Sequence, residues 1–552
     1  CYSMPLSRNR RRALWRLPLV ARWLADPLGR LPPLDSEEPL PPEGCVATGT
    51  LANGVSYVVR TNRKPKNRAE LRLVVKAGSL VEEEDQLGVA HLVEHLLFCA
   101  TKKFQRGELM KIIEAAGGTF GADLNAYTAH HETIYSLCIP CHTDGAGPNL
   151  LEQAVNVLQE WASSALLTEA DIEAEKKIVL EEWREGLGQQ QRMLDHYYAK
   201  AFPGCRHACR QPIGKMDVLQ ECSTRRIRDF YEEHYRPENI GVVAVGDFAS
   251  NTEVVALIAE FFGRIPRRHC KQTVPSFVLP VPTRAVVAYS DPELYTASVK
   301  LSFCFPNCTT PSSAWLQREV VKEVFLDVLD RRFSVLRQQA GCPFLTAIVG
   351  AEDLDQTLTA VCFTAACLQG PEAALATLAA VAKEVERARV HGATEHEVAV
   401  SASRTKSVGE SDLVERHDVA SEDHAENFVE YLSRPGIAIT SEAVGTRIRL
   451  TACDAVTVDS FDPLRRLLDL RGPGWICEIR QVAGAPTVQE EQVREVLERE
   501  LARWDSSPVE PWSPPPPSAA ACLGAHFAEE SGDSEEGSAS GDDSGSAEDE
   551  DG

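Results

Sequence analysis

Five consecutive residues, His91-Leu92-Val93-Glu94-His95, have the types and spacing for hydrolytic metal chemistry. On an α-helix turning about 100° per residue, His91 and His95 fall about 40° apart on one face, with Glu94 on the adjacent edge. Two imidazoles one turn apart can ligate one zinc ion, and a carboxylate beside them can reach a metal-bound water without itself being a ligand. Leu92, Val93, Leu96, Leu97 and Phe98 make this helix mostly buried, which disfavours reading the histidines as surface residues.

A catalytic zinc wants a third protein ligand and an open position. The Glu-rich run Thr168–Leu187 reads as a long helix opened by a capping signal, Thr168 with Asp171 three residues on. It offers Glu173, Glu175, Glu181, Glu182 and Glu185. Glu175 and Glu182 share a face two turns apart, while Glu181 points about 100° away from Glu182. A charge run on a helix is usually a solvated face. Beside the histidines, Glu182 is the preferred ligand and Glu175 the acid that supports the site from behind.

The elements that must position these residues alternate along the chain. Ser56–Val59, Ala69–Val75, Thr133–Ile139 and Ile240–Val245 read as strands; Leu87–Phe98, Gly107–Ala116 and Leu150–Ala165 read as helices. After a boundary near residues 266–283 the order repeats. Ala297–Phe305 is a strand, Ala314–Leu336 a helix, Leu358–Ala366 a strand, and Glu372–Val390 and Thr394–Ser407 are helical. Two copies of one α/β unit, about 225 residues apart, account for this order. Where the first copy has its two histidines, the second has Arg318-Glu319-Val320-Val321-Lys322.

The chain of 552 residues is 43% apolar and 25% charged, close to the globular average. With 57 Lys and Arg against 81 Asp and Glu its net charge is −24, so it is no general binder of nucleic-acid phosphates. No apolar run is long enough to span a membrane, Ala13–Leu28 being interrupted by Arg16, Arg22 and Asp26. The 17 cysteines follow no repeating spacing and read as reduced thiols, which favours the cytoplasm or an organelle, chloroplast or mitochondrion, over secretion. Cys138-x2-Cys141 is a lone pair, with Cys205-x3-Cys209 and His207 as its only nearby complement; these too read as structural thiols.

Five segments follow. Residues 1–44 are a basic extension, Arg-rich and acid-poor like an organellar transit peptide, or simply a solvated arm. Residues 45–265 are the zinc-binding repeat, 266–283 a linker and 284–512 the second, non-catalytic repeat. Residues 513–552 pass from SPPPPSAAA into Ser, Gly, Asp and Glu, a disordered acidic tail.

The sequence resembles the insulinase/pitrilysin zinc peptidases, the inverzincins, in more than HxxEH. GSLVEEEDQLGVAHLVEHLLFCATKKF, FGADLNAYTAHHETIY, EAEKKIVLEEWREG and HYRPENIGVVAVGDF follow that family's order and spacing, and match its PqqL-like branch best. The resemblance runs from about Leu51 to Trp512. It implies an α+β fold of two homologous repeats, each a mainly antiparallel sheet covered by helices. It implies one zinc per chain on His91, His95 and Glu182, with Glu94 as base and Glu175 as supporting acid. It also places Asn125, Ala126, Tyr127 and Thr128 beside the substrate. His131 is a departure, standing where relatives tend to have Asp. The implied activity is zinc-dependent endopeptidase cleavage of unfolded proteins or short peptides lying along an exposed strand edge. Complete family members close two such halves into a chamber, so a second half from another chain, or a homodimer, is the implied partner. The competing reading is a peptide-binding or assembly subunit that keeps the fold without turnover.

Overall fold

The computed structural model describes residues 33–514, apart from 109–110, 112–118, 120, 122, 142–148, 186–187, 268–276, 308–309, 416–417, 435 and 485. The basic segment before residue 33, most of the expected helix at 107–116, half of the expected linker and the acidic tail from 515 lie outside the described residues.

Two sheets organise the chain. Strands β1 (Val46–Thr50), β2 (Ser56–Thr61), β3 (Arg68–Val75), β4 (Leu124–Thr128), β5 (Thr133–Pro140) and β6 (Ile240–Gly246) form the first, in the order β1-β2-β6-β3-β5-β4. Strands β7 (Arg284–Asp291), β8 (Ala297–Pro306), β9 (Phe344–Asp355), β10 (Leu358–Cys367) and β11 (Trp475–Val482) form the second, in the order β7-β11-β8-β10-β9. Laying β2 on β7, β6 on β11, β3 on β8, β5 on β10 and β4 on β9 makes the two orders coincide, with β1 extra. Each sheet has one parallel pair, β2 with β6 and β7 with β11; the other pairings are antiparallel. The chain is thus two homologous halves of α+β structure.

β3 shows why these residues make a central strand. RAELRLVV is buried at every position but the first. Ala69, Leu71, Leu73 and Val75 alternate onto the face packed by helices α1 (Val89–Leu97), α2 (Leu150–Ser163), α3 (Glu169–Glu185) and α6 (Asn251–Phe262). Four further helices lie between α3 and α6 in sequence, among them α4 (Gln189–Ala201) and α5 (Arg206–Cys209). In the second half, α7 (Ser313–Arg337), α8 (Pro371–His391), α9 (Glu395–Glu415) and α11 (Glu490–Ser506) cover one face of their sheet in the same way.

The other faces are covered by exchange. Helix α10 (Ser421–Ser433), in the second half, lays Ala425, Phe428, Val429 and Leu432 on Val58, Val74, Ile134, Val243 and Val245 of the first sheet. The end of α4, with Ala201 and the following Phe202, packs on Ala285, Val287, Cys304, Leu358 and Ile476 of the second sheet. Arg72 on β3 ties the first contact electrostatically, reaching Glu70 at 2.9 Å and Glu426 of α10 at 3.3 Å. The described part of the N-terminal extension also packs on the second half: Leu40 is buried with Leu316, Val444 and Ile448, and Glu37 pairs with Arg318 at 2.7 Å.

Candidate metal centre

The first sheet delivers the candidate site through α1, α3 and the edge strand β4. Helix α1 starts at Gly88, whose φ of 97° suits glycine, and a Cβ there would stand 3.2 Å from the Gly214 backbone. Gly88 offers no side chain to cap the helix, and the buried Glu82 does so instead, its carboxylate accepting from the backbone N–H of Gly88 at 3.0 Å and of Ala90 at 2.8 Å. Burial pushes the Glu82 carboxyl up to about 8, against the pull of these two donors. Val89, Leu92, Val93, Leu96 and Leu97 are all buried in the core, which fixes the rotation of α1 and turns His91 and His95 towards α3. On α3, buried Ile172, Val179 and Leu180 set the facing side, and Lys176 Nζ anchors it by donating to the Cys222 carbonyl at 2.7 Å.

Three donor atoms converge between the helices. His91 Nε2 and His95 Nε2 are 3.2 Å apart, and Glu182 Oε2 lies 3.6 Å from the first and 3.4 Å from the second. A tetrahedral shell with bonds of about 2.0–2.1 Å has edges of roughly 3.3–3.4 Å, so this spacing suits three corners of a zinc shell. Glu182 Oε2 is shut off from solvent and makes no protein hydrogen bond, as a ligand oxygen would be. Imidazole and carboxylate are also the donor types that zinc takes. The residues present therefore fit the metal.

The surroundings support the same arrangement. Glu175 Oε2 stands 3.6 Å from His95 Nδ1, behind the ring, while its Oε1 accepts from Arg106 at 2.7 Å. Arg106 also reaches Asp171 at 3.0 Å. Glu181 turns away and pairs with Arg184. Glu94 is buried, and Thr128 Oγ1 on β4 donates to its Oε2 at 2.6 Å. Burial pushes the Glu94 carboxyl up to about 7, opposed by that hydrogen bond. Burial, then the neighbouring His95, keeps His91 neutral, down at about 3. Burial lowers His95 too, but its contacts with Glu175 and Glu182 outweigh that and raise it to about 9.

Among the described residues, β4 is the outer strand of its sheet, paired with β5 alone. Asn125 and Tyr127 are exposed along it, and Ala126 and Thr128 half-buried. Asn125 Oδ1 accepts from the Ala126 backbone N–H at 2.9 Å. Sequence reasoning missed Glu82 and Arg106. Glu82 is hidden in the acidic run Glu82-Glu83-Glu84-Asp85, which looks like a solvated patch; the signal is its place six residues before a glycine that opens a helix. The bond from Thr128 to Glu94 links a strand to a helix and has no local signature.

Residues 57–208 match the family model described as insulinase (peptidase family M16), and residues 222–403 match that of the M16 inactive domain. A zinc protease PQQL-like protein of Arabidopsis thaliana is 30% identical over 469 residues, 84% of this chain and 45% of the relative. A probable zinc protease PqqL of Haemophilus influenzae is 32% identical over 53% of this chain and 31% of its own length. The crystal structure of the first half of the periplasmic protease PqqL from Escherichia coli superposes with a TM-score of 0.76 at 20% identity, over 86% of this chain and all of that one. The chain belongs to the insulinase/pitrilysin family of zinc metallopeptidases, in its PqqL-like branch. It spans less than half the length of these two curated relatives.

One expectation is overturned. A non-secreted compartment was inferred from scattered cysteines, yet the Escherichia coli PqqL of the matching structure is a periplasmic protease. The physical reason is that free thiols can be core residues in any compartment: Cys99, Cys222, Cys304, Cys362, Cys367, Cys453 and Cys477 are each buried as free thiols. Among the described residues, no helix is long and apolar enough to cross a membrane.

Proposed function

We propose that this chain is the zinc-holding half of an endopeptidase that cleaves unfolded proteins or short peptides. The observation that carries the reading is the convergence of His91, His95 and Glu182 at zinc spacing beside a buried Glu94. Those three residues would hold the metal, with Glu175 behind His95 keeping its Nε2 turned inward. Zinc bound there would supply Lewis-acid polarisation of water and of the scissile carbonyl. Glu94 takes a proton from the attacking water, holds it in a pocket that favours the protonated form, and returns it to the leaving amine. Thr128 orients the Glu94 carboxylate for that exchange. The free edge of β4 binds the substrate backbone as an added strand, with Asn125, Ala126 and Tyr127 beside it. Backbone pairing tolerates many sequences, which suits a broad peptide substrate. A second half-chamber, from another chain or a second copy of this one, completes the substrate enclosure, in keeping with the greater length of the relatives. The segments 45–265 and 284–512 act as the zinc-binding repeat and its non-catalytic companion.

The test is cleavage of a quenched, unstructured peptide by the zinc-loaded chain. Glu94→Gln should lower the rate by about 10²–10⁴-fold while zinc stays bound. Equal rates for the two proteins would remove Glu94 from the reaction.

A further inference from the structure

A second group of donors closes where the two halves meet. His131 lies in the turn between β4 and β5, His207 on α5, and Asp355 at the end of β9 in the other half. His131 Nε2 is 2.6 Å from Asp355 Oδ1, and His207 Nε2 is 3.4 Å from the same oxygen. The three donor atoms all lie within 4.8 Å of one another. His207 is 1% exposed, and its Nε2 is buried with no protein hydrogen bond. His130 packs against it, ring centroids 5.2 Å apart, and its Nε2 is likewise buried without a protein hydrogen bond. A buried imidazole nitrogen left unsatisfied costs about 1–3 kcal/mol, the state of His130 Nε2, while His207 Nε2 meets the Asp355 carboxylate at 3.4 Å, an ion-pair contact longer than a good hydrogen bond.

We propose that His131, His207 and Asp355 form a second metal site, distinct from the first, which takes zinc and clamps the two halves together. Two imidazoles and a carboxylate are a zinc donor set; calcium and magnesium would want more oxygens than the group supplies. The separation of His207 from Asp355 already suits a tetrahedral edge of roughly 3.3–3.4 Å. His131 is at hydrogen-bond distance from Asp355 and must swing outward by about 0.7 Å to meet the same shell. Its side chain, 18% exposed, is the member of the three best able to do so. Cys138 and Cys141 have no part in the group; its ligands come from a turn, a short helix and a strand end that only the folded chain brings together. Because Thr128 precedes His131 by three residues, the clamp would also fix the hairpin that touches Glu94.

The test is zinc content per chain after dialysis against buffered zinc, read by elemental mass spectrometry. The wild-type chain should hold two zinc ions, His95→Ala one, and His95→Ala with Asp355→Asn none. Zinc should raise the melting temperature of His95→Ala and leave that of the double variant unchanged. Each of His131→Asn and Asp355→Asn should weaken the second site beyond the roughly 10–100-fold that loss of a supporting partner costs. If Asp355→Asn does not fold, His131→Asn, at the more exposed corner, decides. Full zinc retention in either folded variant would overturn the proposal and leave His131 and Asp355 as an ion pair between the halves. A chain whose first site held no zinc would still lose its single ion with Asp355→Asn, so failure of the two readings is distinguishable.

Discussion

The two halves place matching helix pairs beside matching sheets, and the pairs are held together in opposite ways. In the first, α1 and α3 meet through His91, His95 and Glu182, three donors aimed at one point. In the second, α7 and α9 meet through Arg332 and Glu397, a bidentate pair at 2.7 and 2.8 Å, with Arg404 and Asp327 at 3.5 Å further along. Glu319 and Lys322, near where the histidines would fall, bond each other at 2.7 Å. One pair leaves electron-rich atoms facing each other and needs a cation; the other is already neutral. Chemistry and cohesion thus make different demands on the same scaffold. The second half runs this helix from Ser313 to Arg337, while the matching helix of the first half stops at Leu97.

The contrast can be broken from either side. The largest effect is expected from Glu182→Gln, which removes the only anionic donor of the first pair. Cleavage should fall as far as with Glu94→Gln, about 10²–10⁴-fold, but here zinc should be lost from the first site as well. Paired zinc and rate measurements separate the two variants. Next comes Arg332→Met, which leaves Glu397 half-buried without its partner. It should cost about 3–5 kcal/mol, read from the urea midpoint, with zinc content unchanged. The smallest effect is expected from Ser312→Ala. Its hydroxyl accepts from the Trp315 backbone N–H at 3.1 Å, and losing this cap should cost about 1 kcal/mol without touching zinc or rate. Loss of zinc in either of the last two would mean that the halves are coupled through more than their surfaces.

What could be read from the sequence was local. His91 and His95 one turn apart, and Glu175 and Glu182 two turns apart, declare their faces by spacing alone, and the structure puts Glu182 opposite both histidines. The elements 68–75, 150–163, 169–185, 240–246 and 358–367 lie within a few residues of where periodicity places them. What escaped was set by distant partners. β4 is short, and its burial alternates because one face, with Leu124 and Ala126, lies on the apolar core that α1 shares. β9 has apolar residues on both of its faces, Phe344 and Val349 buried but Leu345 and Ile348 exposed, so no alternation of residue types marks its inner side. Helix α10 has an ordinary apolar stripe, and nothing in it says that its sheet belongs to the other half. His131 and Asp355 are 224 residues apart in sequence, beyond any spacing argument.

The exchange of α4 and α10 between the halves has a consequence for the order of synthesis. β6, the last strand of the first sheet, ends at Gly246, and about 190 further residues must be made before α10 ends at Ser433. At ribosomal speeds of about 5–20 residues per second the outer face of that sheet, with Val58, Val74, Ile134, Val243 and Val245, stands bare for roughly 10–40 s. The nascent chain is therefore longest at risk of sticking to its neighbours through the part that is hidden in the finished protein, and a trigger of aggregation would act on this face before it acted on the site.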